Sequence, residues 1–86
     1  MEITKERTAM KLLSYLKRQI SLAELVDWAE NAVMNRTFKT GEEKTLREVL
    51  GKLGVADVRT FGLSWEECDS IMRKLGYKLK IQATAA

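Results

Sequence analysis

Three segments of the chain repeat one spacing of apolar residues, i, i+3, i+4 and i+7, with polar residues between them. The three sets are Leu22/Leu25/Val26/Ala29, Leu46/Val49/Leu50/Leu53 and Cys68/Ile71/Met72/Leu75. This spacing places each set on one face of an α-helix, because the helix turns once every ~3.6 residues. The three apolar faces can be buried away from water only by packing against one another. The pattern therefore predicts a compact, mainly α-helical domain.

Cap residues predict where these helices begin. A Ser or Thr followed three residues later by Glu forms a capping box, in which each side chain bonds the other's backbone N–H. The chain contains this pair at Ser21/Glu24, at Thr40/Glu43 and at Ser64/Glu67. With Thr4 as the cap of a first helix, the predicted helices are approximately 5–18, 22–34, 41–53 and 65–75.

The first helix is expected to bury Ala9, Leu13, Leu16 and Ile20, with other apolar residues widening that face. It should pack against the second helix as a hairpin, because the Ser21 cap lies so soon after it. In the second helix the apolar stripe continues through Ala29, Ala32 and Val33 to about Met34.

Glycines predict the helix ends. Gly54 and Gly76 each follow a helix and fit the left-handed position after its C-terminus. Between the third and fourth main helices, residues 56–61 favour a short helical turn, with an extended conformation of Val58–Phe61 as the alternative. The fold class is thus mainly α, with four to five helices in one domain, residues 1–86.

The apolar period changes to two after the last helix. Tyr77, Leu79 and Ile81 alternate with Lys78, Lys80 and Gln82, which predicts a half-buried strand over 77–82, followed by frayed residues 83–86. A strand needs a partner, because its backbone N–H and C=O groups are otherwise unpaired. The candidates are residues 1–4, 36–40 and 55–61, or the same strand of a second copy.

Composition agrees with a small globular domain in a reducing, cytoplasmic setting. Apolar residues make up 45% and charged residues 31% of the 86 positions. The chain has no apolar run near the ~20 residues of a membrane span, and its first residues lack the apolar segment of a secretory signal. Its one cysteine cannot form an internal disulfide.

Catalytic chemistry has few starting points in this sequence. There is no histidine, the commonest general base and metal ligand near neutral pH. The single cysteine, Cys68, lies on an apolar stripe and is predicted to be a core residue. The five glycines stand singly and form no phosphate-binding loop. The sequence therefore predicts a protein without catalytic residues, cofactor or metal ligands.

Charge is unevenly distributed around a net value of +3. Residues 1–20 carry net +3 and residues 71–86 net +4, whereas residues 21–35 and 55–70 each carry net −3. If the two basic ends meet, they form one basic face suited to phosphate groups. The candidate phosphate contacts are Lys17, Arg18, Arg36, Arg59, Lys78 and Lys80.

The segment Leu46–Val55 resembles the first helix and turn of a helix-turn-helix module, which implies nucleic-acid binding. The likeness covers about a dozen residues and stops there. Residues 56–61 are too few for a recognition helix of two or more turns, and Asp57 would face the phosphates.

Large aromatic residues and the unpaired strand favour protein binding. The candidate interface residues are Trp28, Trp65, Tyr77, Leu79 and Ile81, because aromatic anchors and strand edges are common recognition elements. The leading hypothesis is a small non-enzymatic interaction or regulatory module, which binds an unknown protein or a second copy through the C-terminal strand. A nucleic-acid-associated protein is the alternative.

Overall fold

The computed structural model describes residues 2–35, 37–58 and 63–80, without the side chains of Asn35 and Val58. These residues form four α-helices, which are α1 (Lys5–Leu16), α2 (Leu22–Asn35), α3 (Glu43–Leu53) and α4 (Trp65–Lys74). A 3₁₀ turn, Ala56–Val58, follows α3. The predicted mainly α-helical class is confirmed, and every main helix lies within two residues of its predicted bounds. In the described part of the chain, no helix is long and apolar enough to cross a membrane.

The three apolar stripes meet in one core. The α3 residues Leu46, Val49, Leu50 and Leu53 have no exposed surface. All members of the other two stripes are buried except Leu22, which is half-buried against the same cluster. Burying one large apolar side chain stabilises a fold by ~1.5–3 kcal/mol, so these stripes supply most of the driving force.

Helix α2 is the central element, since it contacts α1, α3 and the 3₁₀ turn, with its largest contact on α3. The C-terminal end of α3 approaches α2 closely. A Cβ atom added at Gly54 would lie 3.6 Å from Cγ of Glu30 and 3.2 Å from the Leu50 carbonyl oxygen. On the other side of the core, α3 also packs against α4, where Lys74 forms an ion pair with Glu48 that lowers the pKa of the Glu48 carboxyl.

The N-terminal segment pairs with the residues that precede α3. Ile3 is buried and forms a parallel β-bridge with Phe38. Its N–H donates to the Thr37 carbonyl oxygen (2.7 Å), and its carbonyl oxygen accepts from the Lys39 N–H (2.9 Å). Two of the candidate partners of the C-terminal strand, residues 1–4 and 36–40, therefore pair with each other instead.

Glu42 lies before α3, although the predicted bounds of 41–53 placed it within the helix. Helix α3 begins at Glu43 rather than at Gly41, and its N-cap residue Glu42 makes no side-chain bond to α3, so the predicted capping box at Thr40 and Glu43 is wrong. The Glu42 carboxylate instead accepts from the backbone N–H of Lys5 (2.9 Å), in the first turn of α1. This long-range contact joins the start of one helix to the start of another.

The other three predicted caps are present. The Ser21 N–H donates to Glu24 Oε1 (3.2 Å), and the Glu24 N–H donates to Ser21 Oγ (3.1 Å), which completes the capping box of α2. Ser64 Oγ accepts from the Glu67 N–H (3.1 Å) at the start of α4. Thr4 Oγ1 accepts from the Arg7 N–H (3.0 Å) at the start of α1. These helices begin where their local sequence predicts.

The buried face of α1 is rotated from the predicted one. Thr8, Ala9 and Leu12 are its buried residues, whereas Leu13, Leu16 and Ile20 are only half-buried. Thr8 satisfies its hydroxyl group by donating to the Thr4 carbonyl oxygen (2.9 Å), so a polar residue can occupy the core side. A threonine at the centre of the buried face hid this face from the apolar pattern.

The apolar stripe of α2 ends before the helix does. Val33 and Met34 were predicted to extend the buried stripe, but both are exposed, and Met34 retains 78% of its surface. The short helical turn predicted over residues 56–61 is present as the 3₁₀ turn at Ala56–Val58, and residues 59–61 lie outside the described residues.

Two helices end in the same hydrogen-bond pattern. At the end of α4, Gly76 has φ +91°, its N–H donates to the Arg73 carbonyl, and the Tyr77 N–H donates to the Met72 carbonyl. At the end of α1, Arg18 takes the equivalent left-handed position with φ +61°, as a Schellman motif requires. Gly54, by contrast, has φ −66° because the chain continues directly into the 3₁₀ turn, so its predicted left-handed conformation is wrong.

Replacing Arg18 with glycine should raise the free energy of unfolding by ~0.5–1 kcal/mol, because glycine adopts positive φ without steric cost. The matched control is Gly76→Ala at the equivalent position of the second motif. It should lower stability by ~1 kcal/mol through backbone strain alone, since no atom lies within 4 Å of the added Cβ. Urea denaturation measures both, and a loss of stability in Arg18→Gly would contradict the assignment.

Replacing Glu42 with alanine should lower the free energy of unfolding by ~0.5–2 kcal/mol, the usual effect of removing a helix cap. Hydrogen exchange of the Lys5 amide should also accelerate, because that amide loses its acceptor. Glu66→Ala is the control, as it removes an exposed first-turn carboxylate from α4. Equal effects of the two substitutions would show that Glu42 acts only as a first-turn charge.

Candidate protein-interaction surface

The C-terminal segment Tyr77–Lys80 leaves α4 through the turn at Gly76. The Schellman motif redirects the backbone there, because the left-handed residue reverses the helical path. No strand is formed over residues 77–80, so the predicted strand is not seen in its described part. Ile81, Gln82 and the predicted frayed residues 83–86 lie outside the described residues.

The backbone of this segment is unpaired after Tyr77, whose N–H donates to the Met72 carbonyl oxygen. Within residues 2–35, 37–58 and 63–80, the N–H and C=O groups of Lys78, Leu79 and Lys80 make no hydrogen bond. Side-chain exposure nevertheless follows the predicted alternation from Lys78 onwards. Leu79 is half-buried against the core, while Lys78 and Lys80 are exposed. The segment is therefore held to the domain by one apolar side chain and presents free backbone groups beside two cations.

The described residues of the candidate intramolecular partners take part in other structures. Residues 1–4 and 36–40 pair through the Ile3–Phe38 bridge, and Ala56–Val58 forms the 3₁₀ turn. The described part of the chain thus supplies no strand to Tyr77–Lys80. Tyr77 itself retains 45% of its surface.

The two tryptophans differ in their surroundings. Trp28 is half-buried against the core, with Lys11 Nζ 6.0 Å from its ring centroid. It lines an open groove of about 600 Å³ with Met10 and Ser14 of α1. Trp65, in the first turn of α4, retains 43% of its surface. Trp28 is thus partly committed to the fold, and Trp65 is the more accessible of the two.

Sequence reasoning missed some of the most exposed apolar side chains. Met10, Met34 and Val55 are all exposed. Met34 and Val55 belong to helix and turn ends, where burial stops before the secondary structure does. Charged residues one helical turn before Met10 could have indicated that its side of α1 is exposed. Met34 marked the approximate end of the predicted stripe, yet its distance in sequence from Leu25 places it on about the opposite side of a helix with ~3.6 residues per turn, so helical periodicity could have indicated its exposure.

The candidate phosphate contacts are only partly described. Lys17, Arg18, Lys78 and Lys80 are exposed. None of these four side chains forms an ion pair in the part of the chain that the structure describes. Arg36 and Arg59 lie outside the described residues.

Cys68 is a core residue, as predicted, with only 1% of its surface exposed. Burial, together with the neighbouring Glu67 carboxylate, raises the pKa of the Cys68 thiol. A nucleophilic cysteine requires the opposite shift, because the thiolate is the reactive form. Across residues 2–35, 37–58 and 63–80, no three His, Cys, Asp or Glu side chains converge in a way that could hold a metal ion.

No family model, curated protein or solved structure matches this chain. Its surface chemistry is therefore the basis for a functional proposal.

Proposed function

We propose that this protein is a small, non-enzymatic interaction module of the cytoplasm that binds an extended segment of a partner protein along Tyr77–Lys80. The observation that supports this proposal is the unpaired backbone of Lys78–Lys80 beside the anchored side chain of Leu79. An extended peptide can add to such a segment, with main-chain hydrogen bonds giving affinity and alternate side chains giving specificity.

The arrangement of this segment suits strand addition. Leu79 fixes the segment on the domain, so less conformational entropy is lost when a partner binds than for a free tail. Tyr77 precedes the free backbone and is an amphipathic aromatic residue of the kind enriched at binding surfaces. Trp65, at the start of α4, is a second accessible aromatic side chain.

Proline at positions 78 and 80 should separate binding from folding. Lys78→Pro with Lys80→Pro removes two N–H groups that make no hydrogen bond in the described structure, so stability should change by less than ~0.5 kcal/mol. Leu79→Ala is the control for folding, because it removes a side chain that packs on the core. It should lower stability by ~1 kcal/mol.

The probe for binding is a soluble hexapeptide in which threonine and valine alternate. It should slow hydrogen exchange of the Lys78, Leu79 and Lys80 amides in the wild-type protein, because strand addition protects backbone N–H groups. The double proline variant should bind it much more weakly. Unchanged exchange with this peptide and with charged versions of it would refute strand addition at this segment.

A nucleic-acid-associated function is the second candidate. The supporting observation is that Lys17, Arg18, Lys78 and Lys80 are exposed without ion-pair partners in the described residues. Cations in this state can contact phosphates without first breaking an internal salt bridge. Phosphate binding would use the side chains of the C-terminal segment, whereas strand addition uses its backbone.

Salt dependence tests this second candidate. If four cations contact phosphates, affinity for a labelled DNA duplex or single-stranded RNA should fall by about three to four orders of magnitude over a tenfold rise in salt. Lys17→Glu with Arg18→Glu should weaken binding, and Lys39→Glu with Lys44→Glu is the control of equal charge. Absence of binding to both nucleic acids at low salt, measured by fluorescence anisotropy, would exclude this function.

A further inference from the structure

The two exposed cations of the C-terminal segment restrict which strand can pair with it. Lys78 and Lys80 are separated by two positions, so in an extended segment they project from the same face. Leu79, between them, is half-buried on the domain side. Residues directly opposite each other in paired strands share a face, and their Cβ atoms lie about 5 Å apart. Whatever binds here must therefore place side chains next to both ammonium groups.

A second copy of this segment meets these requirements poorly in every register. Side chains alternate with a period of two, so shifting the register by one residue moves all of them to the other face. Registers that keep Leu79 on the same face as its counterpart place a lysine beside a lysine, in parallel or antiparallel pairing. Registers that avoid this place leucine on the lysine face. Like charges directly opposite each other are destabilising, so the homotypic pairing is disfavoured.

The chain's own acidic segments form no hydrogen bond with the backbone of Lys78–Lys80 in the described residues. Glu2 lies next to Ile3, which pairs with Thr37 and Lys39. Asp57 lies in the 3₁₀ turn, and the acidic residues of α2 lie within a helix. The described residues contain no acidic strand paired with this segment, so the complementary strand must come from another molecule.

We infer that the segment Tyr77–Lys80 binds an acidic, extended segment of a different protein. The partner strand carries Asp or Glu opposite Lys78 and Lys80 and an apolar residue opposite Leu79. This inference rests on the proposed strand addition and names the chemistry of its partner. The acidic side chains neutralise two exposed cations, and the apolar side chain extends the surface that Leu79 covers.

Three peptides of equal length test the inference. In the first, glutamate alternates with valine; in the second, lysine alternates with valine; the third has the composition of the first, with its glutamates and valines in separate blocks. The acidic alternating peptide should bind about tenfold more tightly than the lysine peptide, since two attractive cross-strand pairs replace two repulsive ones. It should also bind more tightly than the block peptide, in which the alternation is lost. Calorimetry gives affinity, and amide exchange at residues 78–80 gives location.

Charge reversal in the protein provides the matched variant. Lys78→Glu with Lys80→Glu changes two exposed side chains, so the fold should be retained. Its preference should invert towards the lysine peptide. Lys39→Glu with Lys44→Glu alters net charge equally at two exposed positions away from the segment, and it should keep the preference for the acidic peptide. A circular dichroism melt confirms folding of both variants.

The outcomes separate the two levels of the proposal. If no peptide protects the amides of residues 78–80, strand addition itself is wrong. If the lysine or block peptide protects them as well as the acidic alternating peptide does, strand addition stands and the acidic partner is wrong. If the protein alone sediments as a dimer and these amides are already protected, the partner is a second copy and the inference is overturned.

Discussion

The complete burial of the α3 stripe is the constraint on which this structure depends. Leu46, Val49, Leu50 and Leu53 leave no surface to solvent, which requires other elements to cover α3 along its length. Helix α2 provides the largest cover, and α4 adds its own apolar stripe. Because the domain is small, few other residues can compensate if this contact loosens. The first and last described segments reach the same core, where Ile3 is buried and Leu79 packs against it.

Features with local causes were predictable from the sequence. The capping box at Ser21 and Glu24 brings together groups three residues apart, so the sequence contains all of its chemistry. The same applies to the Schellman turn at Gly76 and to the three apolar stripes. In the candidate site, the half-burial of Leu79 and the exposure of Lys78 and Lys80 were likewise predicted correctly, whereas Tyr77, predicted on the half-buried side, is exposed. The pairing of this segment was not predicted, because pairing depends on other parts of the chain.

The incorrect sequence predictions have their causes in contacts between distant parts of the chain. Thr40 and Glu43 have the spacing of a cap, but Glu42 bonds α1 across 37 positions of sequence, and α3 begins after it. The local pattern at Gly54 resembles that at Gly76, yet the chain beyond it turns back against α2 and keeps a right-handed conformation. The predicted C-terminal strand had four candidate partners, and two of these, the N-terminal segment and the segment before α3, pair with each other through Ile3 and Phe38. Spacing rules describe neighbours along the chain and contain no information about such competition.

The bridge between Ile3 and Phe38 closes a loop that contains the whole of α1 and α2. Closing a loop of this length costs chain entropy before any of its contacts form, and the cost grows only slowly with length. The Lys5 amide acquires its acceptor only when the start of α3 has reached it. The first turn of α1 therefore depends for one of its hydrogen bonds on a residue that is synthesised well after the helix itself.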